Sequence, residues 1–339
     1  MQPRTNQGDL LTLGYSSNVK ELQKMKVFSA TLIIALAAIA TFGQTPPTLR
    51  IVTEAPDLPA ELFYGDIKVK PLRIRPGSNP PVLITIKDAD FYVTQQYVDF
   101  LSRFPDQSGF NFWQNEITSC GTNAQCIDVK RVHVSAAFFL SIEFQRTGYL
   151  VYKIHLAAFG NLPGKPVPVR RADFMPDTRA IGNGVVVGQQ GWEAVLENNK
   201  NAFSLAFVQR PAFQTAFPST MTAQQFVDKL DSNAGFVLSS AEKNALVATL
   251  GATPADFTKR ASVLRSVAEN ENLSQREFNE AFVLSQYFGY LRRNPDDAPD
   301  GNFNGYNFWL NKLNQFNGNF IQAEMVKAFI VSSEYINRF

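Results

Sequence analysis

Between residues 93 and 117 apolar side chains fall at helical steps twice over, with a proline separating the two runs. In Val93-Thr94-Gln95-Gln96-Tyr97-Val98-Asp99-Phe100-Leu101-Ser102-Arg103-Phe104, the residues Tyr97, Phe100, Leu101 and Phe104 recur every three or four positions, which gathers them on one face of a helix. Pro105 is expected to end that helix, because proline disfavours helical geometry in the residue before it and has no N–H to give. Asp106 or Ser108 is placed to cap the next one. There Phe110, Trp113 and Ile117 share a face, so the pattern predicts a helix-turn-helix corner with its rings, Trp113 included, turned into a core.

The same frame returns near the C-terminus. Val283-Leu284-Ser285-Gln286-Tyr287-Phe288-Gly289-Tyr290-Leu291-Arg292-Arg293-Asn294-Pro295-Asp296 matches residues 93–106, and Gly305-Tyr306-Asn307-Phe308-Trp309 matches Gly109-Phe110-Asn111-Phe112-Trp113. Each copy closes on a similar helix, Ala137-Phe138 to Ser141-Ile142-Glu143-Phe144 in the first and Ala328-Phe329 to Ser332-Ser333-Glu334-Tyr335 in the last. Length differences fall between these helices, where an independently folding unit tolerates them. Two degenerate copies are expected between, one opening at Tyr149-Leu150-Val151-Tyr152 and closing at residues 206–213, the other opening at Gln225-Phe226-Val227 with an obscure end. The expected organisation is a helical unit pair over 91–221 (a clear repeat 92–146, a degenerate one 149–217) and a second over 222–339 (degenerate 222–278, clear 281–339). The fold class is mainly α, built of tandem small helical-bundle repeats.

Ahead of the helices, residues 44–90 are proline-rich and alternate apolar with basic positions in Ile67-Lys68-Val69-Lys70 and Leu72-Arg73-Ile74-Arg75, which predicts an arm with short β-strands. That arm reads equally as a linker, a hairpin on the body or the remnant of a preceding β domain. Residues 1–43 are expected to be a targeting segment: Lys20, Lys24 and Lys26 precede an apolar run from Val27 to Phe42, and Ala38-Ile39-Ala40 fits a small-x-small cleavage pattern, with Gly43 as an alternative. Met25 fits a start of translation, which would leave residues 1–24 upstream of the natural chain. The apolar run is shorter than the ~20 residues a spanning helix needs, so export by the Sec route to the periplasm, cell surface or medium is expected, with no membrane span in the mature chain.

Composition sharpens this picture. The 29 Phe, 10 Tyr and 3 Trp among 339 residues suit cores filled by large rings. The net charge of +2 disappears once residues 1–43, with four basic and two acidic side chains, are set aside; a neutral body offers no attraction to nucleic acid, and none is expected as a partner. In an exported protein Cys120 and Cys126, closing Cys-Gly-Thr-Asn-Ala-Gln-Cys, are expected to form a disulfide.

Candidate chemistry is thin. His133 and His155 stand apart, in no triad or metal signature, and no glycine-rich phosphate loop occurs; Gly182-Asn183-Gly184 is expected to be a loop between helices. No catalytic residue, cofactor or firm metal site is assigned. The one ion suggested is calcium, from the oxygens of Asp296, Asp297, Asp300, Asn302 and Asn304, although Ala298 occupies a ligand position and Asn307 stands where an EF-hand needs its bidentate Glu.

The Phe-Leu-x-Arg-x-Pro-Asp-x-x-Gly-Phe-x-Phe-Trp-x-Asn core and the Ser-x-Glu-Phe close resemble the bacterial domain of unknown function (DUF) 4214 family, over residues 92–146 and 282–339. Its motif positions here are Pro105, Asp106, Gly109 and Trp113, and Pro295, Asp296, Gly305 and Trp309; six additional residues lengthen the last unit's Pro-Asp turn, and the Cys loop lengthens the first unit. That family is distantly similar to phycobilisome linkers, so the resemblance implies small helical modules that hold assemblies together, with no established reaction. The expectation is a non-enzymatic structural or interaction protein with a protein partner or self-association; a carbohydrate- or calcium-binding surface module is the alternative, the former resting on exposure of Trp192.

Overall fold

The computed structural model describes residues 79–80 and 82–339, and the backbone alone of three short strands before them, β1 (Leu49–Val52), β2 (Glu61–Tyr64) and β3 (Ile67–Val69), hydrogen-bonded in the order β1-β2-β3. The expected targeting segment, its cleavage site and the alternation at Leu72 to Arg75 lie outside the described residues. The rest is mainly helical.

The helices follow in four successions, each ending on a short one. The first is α1 (Ala89–Gln96), running on into a π-helical turn at Tyr97–Leu101, then α2 (Gln107–Thr118), α3 (Ala124–Leu140) and α4 (Ile142–Arg146). Next come α5 (Gly148–Phe159), α6 (Arg171–Gly182), α7 (Trp192–Val208) and α8 (Pro211–Ala216). The third is α9 (Ala223–Asn233), α10 (Ser240–Leu250), α11 (Phe257–Ala268) and α12 (Glu271–Arg276). The last is α13 (Phe278–Gln286) with a second π-helical turn at Tyr287–Leu291, then α14 (Asn304–Gln315), α15 (Met325–Ile330) and α16 (Ser333–Ile336).

Local chemistry accounts for many of the starts. Asp106 accepts from the Gly109 N–H at the head of α2, Asn123 from Cys126 at α3, and Thr222 with Gln225 and Ser239 with Glu242 form reciprocal capping boxes on α9 and α10. The closing helices α4 and α16 are capped alike, Ser141 accepting from Phe144 N–H and Ser332 from Tyr335 N–H. Pro211 opens α8, where its missing N–H costs nothing. Gly182 is the last residue of α6, and residues 183–191 form the loop to α7; Cys120 and Cys126 are disulfide-bonded across the turn between α2 and α3.

The first and last successions meet through rings and buried polar groups. Phe139 stacks on Phe282 with centroids 4.1 Å apart and planes 7° from parallel. Above that contact Ser135 Oγ donates to Gln96 Oε1 at 2.9 Å, Tyr290 Oη donates to the same oxygen at 3.2 Å, and Gln96 Nε2 donates to Tyr335 Oη at 3.3 Å. The buried Asp99 carboxylate takes Arg338 through 2.8 and 3.0 Å contacts and Arg292 at 3.3 Å. Burying a carboxylate demands such partners.

Two expectations are corrected. Pro105 does not end the first helix: the π turn and a left-handed Ser102 (φ 54°) end it three residues earlier, and Arg292 (φ 52°) does the same after the second π turn. Phe104 therefore leaves the helical register that carries Tyr97 and Phe100 into the core, and stands 54% exposed. Trp113 and Trp309 are half-buried rather than enclosed, and the ring before each, Phe112 and Phe308, is exposed at 57% and 56%.

Candidate functional site

The corner between α1 and α2 is organised by Arg103. Beyond the left-handed Ser102, its guanidinium grips both oxygens of the buried Glu143 on α4, at 2.7 and 2.8 Å, and approaches Asp106 at 3.4 Å. Arg293 repeats this on Glu334 at 2.6 and 3.1 Å and on Asp300 at 2.8 Å. Such forked pairs fix orientation as well as charge. Burial opposes the charge on Arg103, but the bonds and field of Glu143 outweigh it and hold the guanidinium above its ordinary pKa. Asp106 lies below the usual carboxylate range: its modest burial is overcome by the Gly109 N–H, the Ser108 hydroxyl and Arg103.

A tyrosine lies under each corner. Burial pushes the phenols of Tyr97 and Tyr287 up to about 12. Gly109 and Gly305 are required here for space rather than dihedral freedom, since an added Cβ would stand 2.2 Å from Tyr97 Oη and 2.7 Å from Tyr287 Oη. The rings around them correspond as well. Tyr97 meets Phe138 edge-on at 4.7 Å and Tyr287 meets Phe329 at 5.2 Å; Phe112 meets Trp113 at 4.8 Å and Phe308 meets Trp309 at 4.9 Å.

The two turns differ in what covers them. By sequence Asp296 stands where Asp106 stands, yet the carboxylate beside Arg293 belongs to Asp300, further along the lengthened turn. Asp296 instead meets Lys165 and Arg170 from the α5–α6 loop, Asp297 meets Arg170 at 2.8 Å, and Asn294 accepts the Arg171 N–H at 2.8 Å. Pro295 is buried, whereas Pro105 is half-buried. Asn302 accepts the Asn304 N–H at 2.8 Å, so the oxygens weighed for calcium are spread over ion pairs and turn bonds. Among the described residues no group of three or more His, Cys, Asp or Glu is placed to hold a metal.

Two recesses flank these elements. One of about 270 Å³ opens beside the first turn, with Leu101, Trp113, Phe138 and Val187 on its apolar side and Arg103, Asp106, Ser108 and Glu143 on its polar side. The other, about 470 Å³, lies along α3, with Val129, Val132, Phe320 and Ile321 as its apolar lining and His133 and Glu324 at its polar edge. The exposed His133 shares that edge with Asp128 and Glu324.

Buried polar sets between the middle helices escaped the sequence pattern. His155 Nε2 lies 2.8 Å from Asp177 Oδ2, and Arg210 holds both Asp177 oxygens at 2.7 and 2.8 Å; burial raises the Asp177 pKa, but His155 and Arg210 bring it below the ordinary value. The three residues are far apart in sequence, which leaves no local signal. Lys153 Nζ donates to Ser274 Oγ at 2.6 Å, and Ser274 donates in turn to the Asn270 carbonyl at 2.9 Å. With its proton committed to a backbone carbonyl and its lone pair to an ammonium, Ser274 is set as a structural link rather than a nucleophile.

No helix among the described residues is long and apolar enough to cross a membrane. Comparison with protein-family models, curated proteins and solved structures finds no match for this chain.

Proposed function

We propose that the protein is an exported, non-enzymatic scaffold: a tandem array of four helical modules, α1–α4, α5–α8, α9–α12 and α13–α16, that holds other proteins or further copies of itself together outside the cytoplasm. The observation that carries this reading is the recurrence of one corner, with the same arginine clasp, buried tyrosine and excluded Cβ, in the first and last modules, each presenting an exposed Phe beside a half-buried Trp. Exposed rings at corresponding places on two modules support this reading because the repeat presents them twice in the same setting. The resemblance to the DUF4214 family, and through it to linker modules, belongs to this proposal, as do the signal peptide and the proline-rich arm.

Crosslinking in the native cells, followed by identification of what is joined to residues 104–113 or 308–309, tests the reading. A recurring protein partner or a second copy supports it; a chain that remains uncrosslinked and monomeric overturns it. The carbohydrate alternative rests on the half-buried Trp192, but Arg146 already lies over that ring at 5.7 Å and Lys312 over Trp309 at 5.5 Å, so two of the three tryptophan platforms have a cation on them.

A further inference from the structure

Asp99, Glu143 and Asp177 are each met by an arginine of this chain, Arg338, Arg103 and Arg210. The polar groups of the recess along α3 are not met in this way. Gln125, Asp128, Val129, Val132 and His133 follow one another at steps of three and one, which sets them along one face of α3 as one wall of the recess. Among the described residues the side chains of Gln125, Asp128 and His133 make no hydrogen bond or ion pair. On the facing wall Glu324 and Lys327 come no nearer to a partner than the 3.9 Å between them, with 62% and 58% of their side-chain surface in water. Such a pair contributes almost nothing to stability.

The apolar lining is already in place. Val132 is buried, Phe320 is fixed by an edge-on contact with Phe282 at 5.8 Å, and Val129 and Ile321 leave 50% and 49% of their surface in water. The turn that carries Glu324 is closely bonded: Asn319 Oδ1 accepts the Ile321 and Gln322 N–H groups at 3.1 and 3.0 Å, and Glu324 N–H donates to the Ile321 carbonyl at 3.0 Å. Glu324 is itself left-handed, with φ +54°, a conformation few residues other than glycine adopt and one that collects at ligand sites. A neighbouring recess of about 160 Å³ shares Asp128, Val132 and Lys327 with this one and adds Ile330, Val331 and Ile336 to the apolar lining.

We propose that this recess binds a small apolar zwitterion: an amino acid with an aliphatic or aromatic side chain and free ammonium and carboxylate groups, alone or as a dipeptide. The charges on its walls select that chemistry. Asp128 and Glu324 accept the ligand's ammonium, Lys327 and the Gln125 amide donate to its carboxylate, and Val129, Val132, Phe320 and Ile321 cover its side chain. A purely cationic ligand would set a like charge against Lys327, and a purely anionic one would face Asp128 and Glu324; a ligand with both charges answers both walls. The volume of about 470 Å³ falls in the range of roughly 300–1,000 Å³ found for small-molecule sites. The neighbouring recess gives the second side chain of a dipeptide an apolar seat. One wall belongs to the first module and the other to the last, so the ligand bridges them. The inference goes beyond the scaffold reading and does not depend on it.

The test titrates the full chain, as processed by the cells that make it, with L-leucine, L-phenylalanine and the dipeptide Leu-Leu, followed by isothermal titration calorimetry into the millimolar range. Saturable binding of one ligand per chain is expected, and the better ligand identifies the free amino acid or the dipeptide as the occupant. Forms of that ligand with the amine acetylated, or with the carboxylate converted to an amide, should bind about tenfold or more weakly, because each lacks one of the two charges. Asp128→Asn and Lys327→Gln, both at exposed positions, should weaken the unblocked ligand to a similar degree while leaving the melting temperature of the free protein unmoved. No saturable binding of any of the three compounds overturns the inference. So does binding that survives either blocked end or either substitution, since that is adhesion to apolar surface without recognition of the charges. Neither result bears on the scaffold reading, which the crosslinking in native cells decides separately.

Discussion

Phe100 and Tyr290 hold the same place in the two π-helical turns, and their rings meet edge to face with centroids 5.0 Å apart and planes at 73°. The approach depends on what precedes each ring. Gly289 lets Phe100 come close, since an added Cβ would lie 3.1 Å from the Phe100 ring and 3.4 Å from the Asp99 carbonyl, while the corresponding residue, Asp99, takes Arg338 instead. A regular α-helix through either segment would aim these rings elsewhere; the widened turn directs each at its counterpart.

Gly109→Ala is expected to destabilise the fold by about 1–3 kcal/mol, the usual cost of overpacking, despite alanine's better helix propensity. The cause is one atom, Tyr97 Oη, 2.2 Å from the added methyl. Tyr97→Phe in the same chain should therefore restore most of the loss. Urea unfolding of the single and double variants measures this; an equal loss in both would place the constraint in the backbone instead.

Arg103→Ala and Arg293→Ala should differ in cost although they break matching clasps. Glu143 keeps only 6% of its side-chain surface in water and would be left as a buried unpaired charge, a loss of about 3 kcal/mol, whereas Glu334 at 34% can be rehydrated and should cost nearer about 1 kcal/mol. Thermal or urea unfolding ranks them, and a reversed order would refute the argument from burial.

Much of this fold is legible in the sequence, and the failures are instructive. Asp106 as a cap, the helical loop boundaries around Gly182 and the two amphipathic corners follow from local rules that act within a few residues. The Arg103–Glu143 clasp spans forty positions and has no local signature, yet comparison of the two copies carries it, since Arg293 and Glu334 keep the same places in the frame. The exposure of Phe104 is not legible in the apolar spacing, because the left-handed Ser102 interrupts the helix before the proline. The His155–Asp177–Arg210 set lies in a module whose sequence matches the frame poorly, and only tertiary packing brings the three together.

Calcium should leave thermal unfolding unmoved relative to chelator, because Asp296, Asp297 and Asp300 already face Lys165, Arg170 and Arg293. Asp296→Asn should loosen residues 160–170 from the α13–α14 turn, seen as faster amide exchange at buried Val167 and Val169 with little change elsewhere. A calcium-dependent rise in melting temperature would reinstate the loop as an ion site.

Lys153 makes stability depend on alkaline pH in an unusual direction. Burial is the main cause that brings its ammonium down from 10.5 to about 8, with Lys200 adding to the effect and Glu269 opposing it. The folded chain thus binds fewer protons than the unfolded chain between those values, so stability rises with pH across that window; below it, protonated Lys153 costs the fold roughly 3 kcal/mol by linkage. Lys153→Met should therefore be more stable than wild type near neutral pH, its methyl end resting on the Tyr149 ring that Lys153 Nζ now faces at 4.5 Å. The advantage should shrink steadily as pH climbs from about 8 towards 10.5. Urea midpoints of the two proteins over that range isolate this residue from the tyrosines, which titrate in both. A difference that stays constant with pH would show that Lys153 remains charged in the folded chain and that its bond to Ser274 stabilises the ammonium against burial.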